Sequence, residues 1–287
     1  MFGFQNMRKL RISAISFLNT APLMWDFEKG SAAEDFEIYY TVPSRCADAL
    51  RAGTADIGII PAAAYASIPD LAILPDVAIA ADGAVRSILL VSKVPLAEIR
   101  TVAADTNSRT SVALLHVLFS RFWGGNREFV PMAPAIDEML AQCDAALIIG
   151  DAALVLDRSR YQAWDLAEEW KNYTGLPFVF AFWTVRMQAL AEMRPGLNLP
   201  RIFRVSRDHG LEPASVARIA TEWGRRLNLS KNDITSYLTQ SIDYDLSSRN
   251  REGLALFFRY AHECGAIREA PDLRFLGVSP FTESRHG

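Results

Sequence analysis

The stretch Ile15-Ser16-Phe17-Leu18-Asn19-Thr20-Ala21-Pro22-Leu23 follows a β-like run at residues 10–14 and turns into a predicted helix through small polar residues and a proline. Such a junction presents a side chain and free backbone N–H groups to a ligand. The same change from strand to helix recurs at residues 40–44 and at residues 56–61. In open α/β sheets ligands bind at the carboxyl ends of strands. The three junctions between strand and helix therefore predict a small-molecule site.

The composition is that of a globular protein with more than one core. The chain has 287 residues, of which 50% are hydrophobic and 22% are charged. This length exceeds that of a typical single core and favours two lobes. The net charge of −3 comes with no basic stripe interleaved with aromatic residues. Nucleic acid is therefore excluded as an expected partner.

Cysteine usage and the N-terminal region bear on the compartment. The cysteines, Cys46, Cys143 and Cys264, are odd in number and isolated, which argues against a disulfide framework. Residues 7–24 resemble a secretory signal, but polar residues interrupt the apolar run and no cleavage pattern follows. No stretch reaches the about 18 to 20 apolar residues that span a bilayer. We expect a cytoplasmic protein without membrane contact, as a monomer or a homodimer.

The order of strands and helices predicts two α/β units followed by a helical tail. Up to about residue 95 the pattern alternates between strand and helix, which predicts a largely parallel sheet. A second unit starts at residue 101, and from about residue 198 the apolar residues follow helical spacing. We expect the tail to pack on the first lobe, with a ligand cleft between the lobes. The predicted boundaries are residues 7–96 plus 188–287 for lobe 1 and residues 97–187 for lobe 2.

Metal-ligand spacing is not found in the sequence. The histidines, His116, His209, His262 and His286, are scattered, and no HxxxH or CxxC pair occurs. His116 borders an apolar helical stripe and is predicted to be a packing residue. There is also no G-x-S-x-G nucleophile elbow and no Gly-rich phosphate loop. We therefore expect no metal and no phosphate-bearing cofactor.

Two polar corners have both a structural and a functional interpretation. Arg86 and Ser87 lie at the start of an apolar strand. They are either a charged residue at the sheet edge and a hydroxyl that begins the strand, or groups that bind a ligand. The run Asp105-Thr106-Asn107-Ser108-Arg109-Thr110-Ser111 opens a helix directly after a strand. One such residue suffices for an N-cap. The excess of polar groups favours an anion-binding helix start.

Two later segments complete the set of motifs. Gly150 and Asp151 follow a buried strand and open another helix, where Asp151 either contacts substrate or caps the helix. The aromatic run at residues 178–183 is predicted to be core, because strand alternation buries at least one of its faces.

Five of these runs together resemble the chorismate dehydratase family of the futalosine route to menaquinone. They are FLNTAPL at residues 17–23, VRSILL at 85–90, SRTSV at 108–112, IGDAAL at 149–154 and TGLPFVFAFW at 174–183. The runs have the family's order and spacing over nearly the whole chain. The sister enzymes that release the naphthoate ring share the fold but resemble this chain less at the first run. One position departs from the family: Ala64 precedes Tyr65 where members often have Glu.

The resemblance implies an α/β fold with two lobes, like a type II periplasmic binding protein, that closes on chorismate and removes water to give 3-[(1-carboxyvinyl)oxy]benzoate. Asn19 and Ser87 match the family's active-site asparagine and serine. Ser108, Thr110, Ser111, Gly150 and Asp151 match positions that line the substrate.

The chemistry of chorismate agrees with these residue types. Chorismate is a dianion, so its site needs hydroxyls, helix N-termini and an arginine, which Ser44, Arg86, Arg109 and Gly150 with their neighbours could supply. Loss of the C3 proton and the C4 hydroxyl makes the ring aromatic, so neither a metal nor an organic cofactor is expected.

The identity of the base is less obvious from the sequence. The five runs contain no His or Lys, so we expect the enolpyruvyl carboxylate of the substrate to accept the proton, with Asn19 and Ser87 as orienting groups. A solute-binding protein of a transporter and another lyase of the same pathway are the alternatives. The absence of a signal peptide or lipid-anchoring cysteine argues against the first.

Overall fold

The computed structural model describes residues 8–277. Residues 1–7 and 278–287, which include the outer ends of predicted lobe 1 and His286, lie outside the described residues. The described strands are β1 (Leu10–Ile15), β2 (Phe36–Thr41), β3 (Ile57–Pro61), β4 (Leu71–Ala81), β5 (Ile88–Ser92), β6 (Thr101–Asp105), β7 (Glu128–Met132), β8 (Ala145–Ile149), β9 (Gln162–Asp165) and β10 (Phe178–Arg186). They form two five-stranded sheets, with strand orders β2-β1-β3-β10-β4 and β7-β6-β8-β5-β9.

The first sheet is mixed. β1 runs parallel to β2 and β3, but β10 runs antiparallel to β3 and β4. Every residue of β3 is buried, as expected for a central strand covered on both faces. Because β10 is antiparallel to both of its neighbours, β4 points the same way as β1, β2 and β3, so the prediction of a largely parallel sheet is confirmed for these four strands and β10 is the exception. This strand returns from the second lobe and inserts between β3 and β4.

The second sheet is mixed in the same way. β6 pairs in parallel with β7 and β8, whereas β5 runs antiparallel to β8 and β9. Because β5 belongs to this sheet and β10 to the first, the crossings between lobes fall before residue 88 and before residue 178. The predicted crossings at residues 96/97 and 187/188 place these two strands in the wrong lobes. We propose boundaries near residues 85 and 177 instead.

Helices cover both sheets. They are α1 (Trp25–Lys29), α2 (Pro43–Ala52), α3 (Ala62–Tyr65), α4 (Arg109–Leu118), α5 (Ile136–Gln142), α6 (Gly150–Leu154), α7 (Leu166–Thr174), α8 (Met187–Ala191), α9 (Leu199–Gly210), α10 (Pro213–Leu227), α11 (Lys231–Ser236) and α12 (Ser248–Glu263). α2 starts at a proline and ends at Gly53, whose φ of 72° is the left-handed conformation that favours glycine. In the part of the chain that the structure describes, no helix is long and apolar enough to cross a bilayer.

The C-terminal helices pack against the first sheet through aromatic contacts. Phe203 of α9 lies 4.7 Å from Trp183 of β10, and Phe257 of α12 lies 5.0 Å from Phe178, centroid to centroid. Between these helices, Asp243 exchanges two backbone hydrogen bonds of 2.8 Å with Ala80 of β4. This pairing fixes the short segment that follows α11 against the edge of the first sheet.

Candidate functional site

A small pocket lies between the lobes at the ends of several strands. It encloses about 60 Å³. Residues from both lobes line it: Ile15, Phe17, Asn19, Pro43, Pro61, Ile79, Ser87, Ile88, Ser108, Thr110, Ser111, Ile149, Gly150, Phe180 and Ala181. Ligand pockets usually measure about 300–1,000 Å³. The pocket is therefore much smaller than a usual ligand site, and the two lobes lie closed against each other in this structure, joined by hydrogen bonds from Leu18 to Asp151 and from Ala63 to Thr110.

Asn19 enters the pocket from the first lobe. It sits on the helical turn Leu18–Thr20, which follows β1 after only two residues, so the strand end carries the amide directly to the lobe interface. The Thr20 hydroxyl donates to Asn19 Oδ1 at 3.4 Å. This contact orients the amide so that its NH₂ group faces away from Thr20, where it can donate to another group.

The position of Ser87 at the start of β5 is fixed by hydrogen bonds that the two preceding residues make. The buried carboxylate of Asp165 accepts from the backbone N–H groups of Val85 at 3.1 Å and of Arg86 at 2.6 Å. Arg86 has a φ of 66°, which is uncommon for a residue with a side chain and is retained only where neighbouring structure enforces it. Burial raises the pKa of Asp165, and the backbone N–H donors oppose that rise. Asp165 thus fixes the backbone conformation just before Ser87, and with it the direction of the Ser87 side chain.

A tyrosine that the sequence did not single out completes the surroundings of Ser87. The hydroxyl of Tyr237 donates to Ser87 Oγ at 2.9 Å, and the ring is 2% exposed. Burial raises the pKa of Tyr237 far above its usual value. No local pattern could reveal this residue, because 150 positions separate it from Ser87.

The N-terminus of α4 brings three hydroxyls to the pocket. Ser108 is the N-cap residue, yet its side chain makes no capping hydrogen bond. Thr110 Oγ1 accepts a hydrogen bond of 3.1 Å from the backbone N–H of Ala63. This bond joins α4 to the first lobe. Within residues 8–277, the hydroxyls of Ser108 and Ser111 have no protein hydrogen-bond partner, although both residues are buried. They are therefore available to a ligand.

Gly150 allows the two lobes to meet closely. Its φ is +62°, and a Cβ at this position would come 2.9 Å from the Cε2 atom of Phe17 in the other lobe. Its backbone N–H donates to the Ser87 carbonyl at 2.7 Å. Both the backbone conformation and the contact with Phe17 thus require glycine here.

Four of the predicted site residues lie around the pocket but do not line it: Ser44, Arg86, Arg109 and Asp151. Asp151 Oδ1 accepts from the backbone N–H of Leu18 at 3.0 Å and makes no N-capping bond in α6. Arg109 forms an ion pair with Asp48 across the lobes at 2.9 Å. Ser44 is half-buried in the first turn of α2. Arg109 also lines a separate, wider groove of about 1820 Å³, which meets the pocket at Ser108.

Titratable groups are not part of the pocket wall. None of the fifteen lining residues carries a carboxyl, imidazole, amine, guanidine, thiol or phenol. His116 stacks instead on the Phe129 ring at 3.8 Å, and burial lowers its pKa. In the described part of the chain, no cluster of three or more His, Cys, Asp or Glu could hold a metal ion. The pocket can orient a substrate by hydrogen bonds but offers no side-chain base of its own.

Comparisons with known proteins agree with this architecture. Residues 10–263 match the family model described as "Menaquinone biosynthesis". A curated protein of Thermus thermophilus named chorismate dehydratase is 29% identical over 269 residues, which cover 88% of this chain and 94% of the relative.

Two solved structures have the same fold as this chain. A protein of Archaeoglobus fulgidus superposes with a TM-score of 0.66 at 16% identity, covering 90% of this chain and 98% of that one. The periplasmic aliphatic sulphonate binding protein of Escherichia coli superposes with a TM-score of 0.62 at 16% identity, covering 97% of both chains. At this level of identity the two structures establish the two-lobed α/β fold and nothing about the ligand.

Proposed function

Because this chain belongs to the menaquinone-biosynthesis family, we propose that it is a hydro-lyase that converts chorismate to 3-[(1-carboxyvinyl)oxy]benzoate and water. The named activity of the Thermus thermophilus relative supports this assignment. The composition of the pocket, in which Asn19 and Ser87 lie among mostly apolar residues, is the observation that carries it.

The proposed elimination uses the substrate as its own base. The enolpyruvyl carboxylate takes the C3 proton, and the electron pair of that C–H bond forms the C3–C4 double bond. The C4–O bond breaks with its electron pair on oxygen, and the abstracted proton then joins the departing hydroxide to give water. Aromatisation of the ring drives this step. The absence of any titratable side chain from the pocket wall supports this route.

Asn19 and Ser87 are proposed to orient the reacting groups. Both side chains are neutral, so they can donate hydrogen bonds to oxygen without exchanging a proton. Between apolar walls such bonds are stronger than in water. We assign Asn19 to the enolpyruvyl carboxylate and Ser87 to the departing hydroxyl, an arrangement that holds base and leaving group in reactive geometry.

The α4 N-terminus is proposed to bind the ring carboxylate. The unpartnered hydroxyls of Ser108 and Ser111 accompany the positive end of the helix dipole, and this combination suits an anion. Arg109 pairs in the closed structure with Asp48 of the first lobe, so separation of the lobes would free its charge for an arriving dianion. Arg86 and Ser44 remain predicted substrate contacts on the same grounds of charge and position.

The proposal is tested by incubating the purified protein with chorismate and analysing the products by mass spectrometry. A product lighter by one water, with the aromatic absorption of a substituted benzoate, is expected. Bound but unchanged chorismate in a calorimetric titration would favour a solute-binding protein. A product other than the dehydrated benzoate would favour a different lyase. A cytoplasmic location and a monomeric or homodimeric state remain predictions from the sequence.

A further inference from the structure

Tyr237 reaches the pocket from behind its wall. It follows α11 and begins the wider helical turn Tyr237–Ser241, whose position is fixed by the pairing of Asp243 with β4. Its ring is almost wholly buried and does not line the pocket, yet its hydroxyl lies 2.9 Å from Ser87 Oγ. Tyr237 can therefore act on a substrate only through the side chains it touches.

The hydrogen bond from Tyr237 determines what Ser87 can do. A serine hydroxyl has one proton and two lone pairs, and its proton rotates to suit its surroundings. Because Tyr237 donates to Ser87 Oγ, the Ser87 proton must point elsewhere. Among the described residues, no protein group accepts that proton. Since Ser87 lines the pocket, the remaining direction for its O–H is toward a bound substrate.

Burial keeps this arrangement the same over the working pH range. Burial raises the pKa of Tyr237, so the phenol keeps its proton and stays a donor. A chain of hydrogen bonds that runs in one direction polarises each member, so the donation from Tyr237 also makes Ser87 a stronger donor.

We propose that Tyr237 is a positioning residue that orients the Ser87 hydroxyl as a hydrogen-bond donor to the departing C4 oxygen of the substrate. This inference rests on the proposed dehydration. As the C4–O bond breaks, negative charge grows on the oxygen, and an oriented donor stabilises it.

The test compares two variants that each delete one buried phenolic hydroxyl. Tyr237→Phe keeps the ring and its packing, and we expect kcat to fall about 10- to 100-fold with KM nearly unchanged. Tyr244→Phe is the matched control, because the hydroxyl of Tyr244 is also buried but has no hydrogen-bond partner among the described residues. Its kcat should equal that of the unmodified protein.

A double variant separates positioning from a general structural role. In a Ser87→Ala background, Tyr237→Phe should cause no further loss of kcat, because the residue acts through Ser87. Equal losses in both backgrounds, or a normal kcat in Tyr237→Phe, would overturn the inference while chorismate turnover by the unmodified protein upholds the proposed function. If the unmodified protein leaves chorismate unchanged, both proposals fail together.

A second probe covers the case in which Tyr237→Phe does not fold. A fluorinated tyrosine incorporated at position 237 keeps the hydroxyl and the ring but makes the phenol a stronger donor. We expect kcat to rise, and an unchanged kcat in the folded protein would contradict the inference.

Discussion

Asp151 of the second lobe accepts a hydrogen bond from the backbone N–H of Leu18 in the first lobe, with 3.0 Å between nitrogen and Oδ1. Leu18 begins the helical turn that carries Asn19, so this bond joins the closed position of the lobes to the position of a proposed catalytic side chain. Thr110 and Ala63 form a second bond of the same kind at 3.1 Å. Both bonds need the lobes to be in contact, so we expect closure of the lobes to position the turn that carries Asn19 and the start of α4.

The pH dependence of turnover distinguishes a substrate base from a protein base. A carboxylate beside an enol ether is ionised well below neutral pH, so we expect kcat to be nearly flat from about pH 5.5 to 8. Burial raises the pKa of Asp151, and the bond from Leu18 opposes that rise. Because Asp151 directly follows the pocket-lining Gly150, it is the protein carboxyl to test for the role of base.

Asp151→Asn provides the control, because the amide retains an oxygen that can accept from Leu18. If kcat falls at low pH in the unmodified protein and this fall disappears in Asp151→Asn, the base belongs to the protein. The same conclusion would follow from a fall near pH 6.5 that disappears when His116 is replaced, since about 6.5 is the ordinary pKa of histidine.

Replacement of Asn19 tests its proposed catalytic role. Asn19→Leu has a similar size and should fold normally but lose roughly 10²-fold or more in kcat, the usual cost of one preorganised polar contact. An asparagine that only stabilises the turn would instead give a lower melting temperature with near-normal kcat. Turnover and thermal unfolding measured on the same preparation decide between the two.

A side chain at position 150 should prevent the two lobes from closing fully. Gly150→Ala adds a Cβ next to Phe17 in addition to the left-handed strain of about 1–2 kcal/mol. Gly175→Ala is the matched control, since its φ of +73° carries similar strain with no atom within 4 Å of the added Cβ. We expect both variants to be destabilised in thermal unfolding but only Gly150→Ala to lose chorismate turnover, by about tenfold or more. Equal turnover in both would show that the contact with Phe17 is dispensable.

The ion pair between His209 and Asp26 should make stability depend on pH. The bond of 2.8 Å between His209 Nδ1 and Asp26 joins α9 to α1 and raises the pKa of His209. The stabilisation is fully present below the unfolded pKa of about 6.5 and is lost as the pH rises through the higher folded pKa. Because His209 is half exposed, the melting temperature should fall by at most about 3 °C across this range. His209→Gln should remove that dependence, and an unchanged pH profile in the variant would exclude this pair as its source.

Chelation tests the expectation that no metal takes part. Aromatisation of the ring needs orientation and a modest base, and the sequence shows no metal-ligand spacing. Turnover of chorismate should therefore persist after exhaustive treatment with a chelator. Activity that disappears and then returns with a divalent ion would overturn this part of the mechanism.

Many elements of the fold follow from local sequence. The buried strand predicted before Gly150 is β8, and the helix predicted to follow the strand at residues 40–44 is α2. The helix predicted to open at the polar run from Asp105 to Ser111 is observed as α4, which is followed by the wider turn Phe119–Trp123. These segments have strong apolar periodicity and clear turn residues, which act over a few positions. The direction and lobe of β5 and β10 could not be predicted in this way, because a run of apolar residues fits a parallel or an antiparallel neighbour equally well.

Local sequence shows which junctions between strands and helices carry polar groups, since Asn19, Ser87, Ser108 and Gly150 each follow or precede a strand within a few residues. Only the folded chain shows the partners of these residues. Ser87 meets Tyr237 across 150 positions, Leu18 meets Asp151 across 133, and Arg86 meets Asp165 across 79. Such contacts depend on how the two sheets and the C-terminal helices come together, and short-range propensity contains no information about that. For the same reason the role of Asp151 at the lobe junction became visible only in the folded chain.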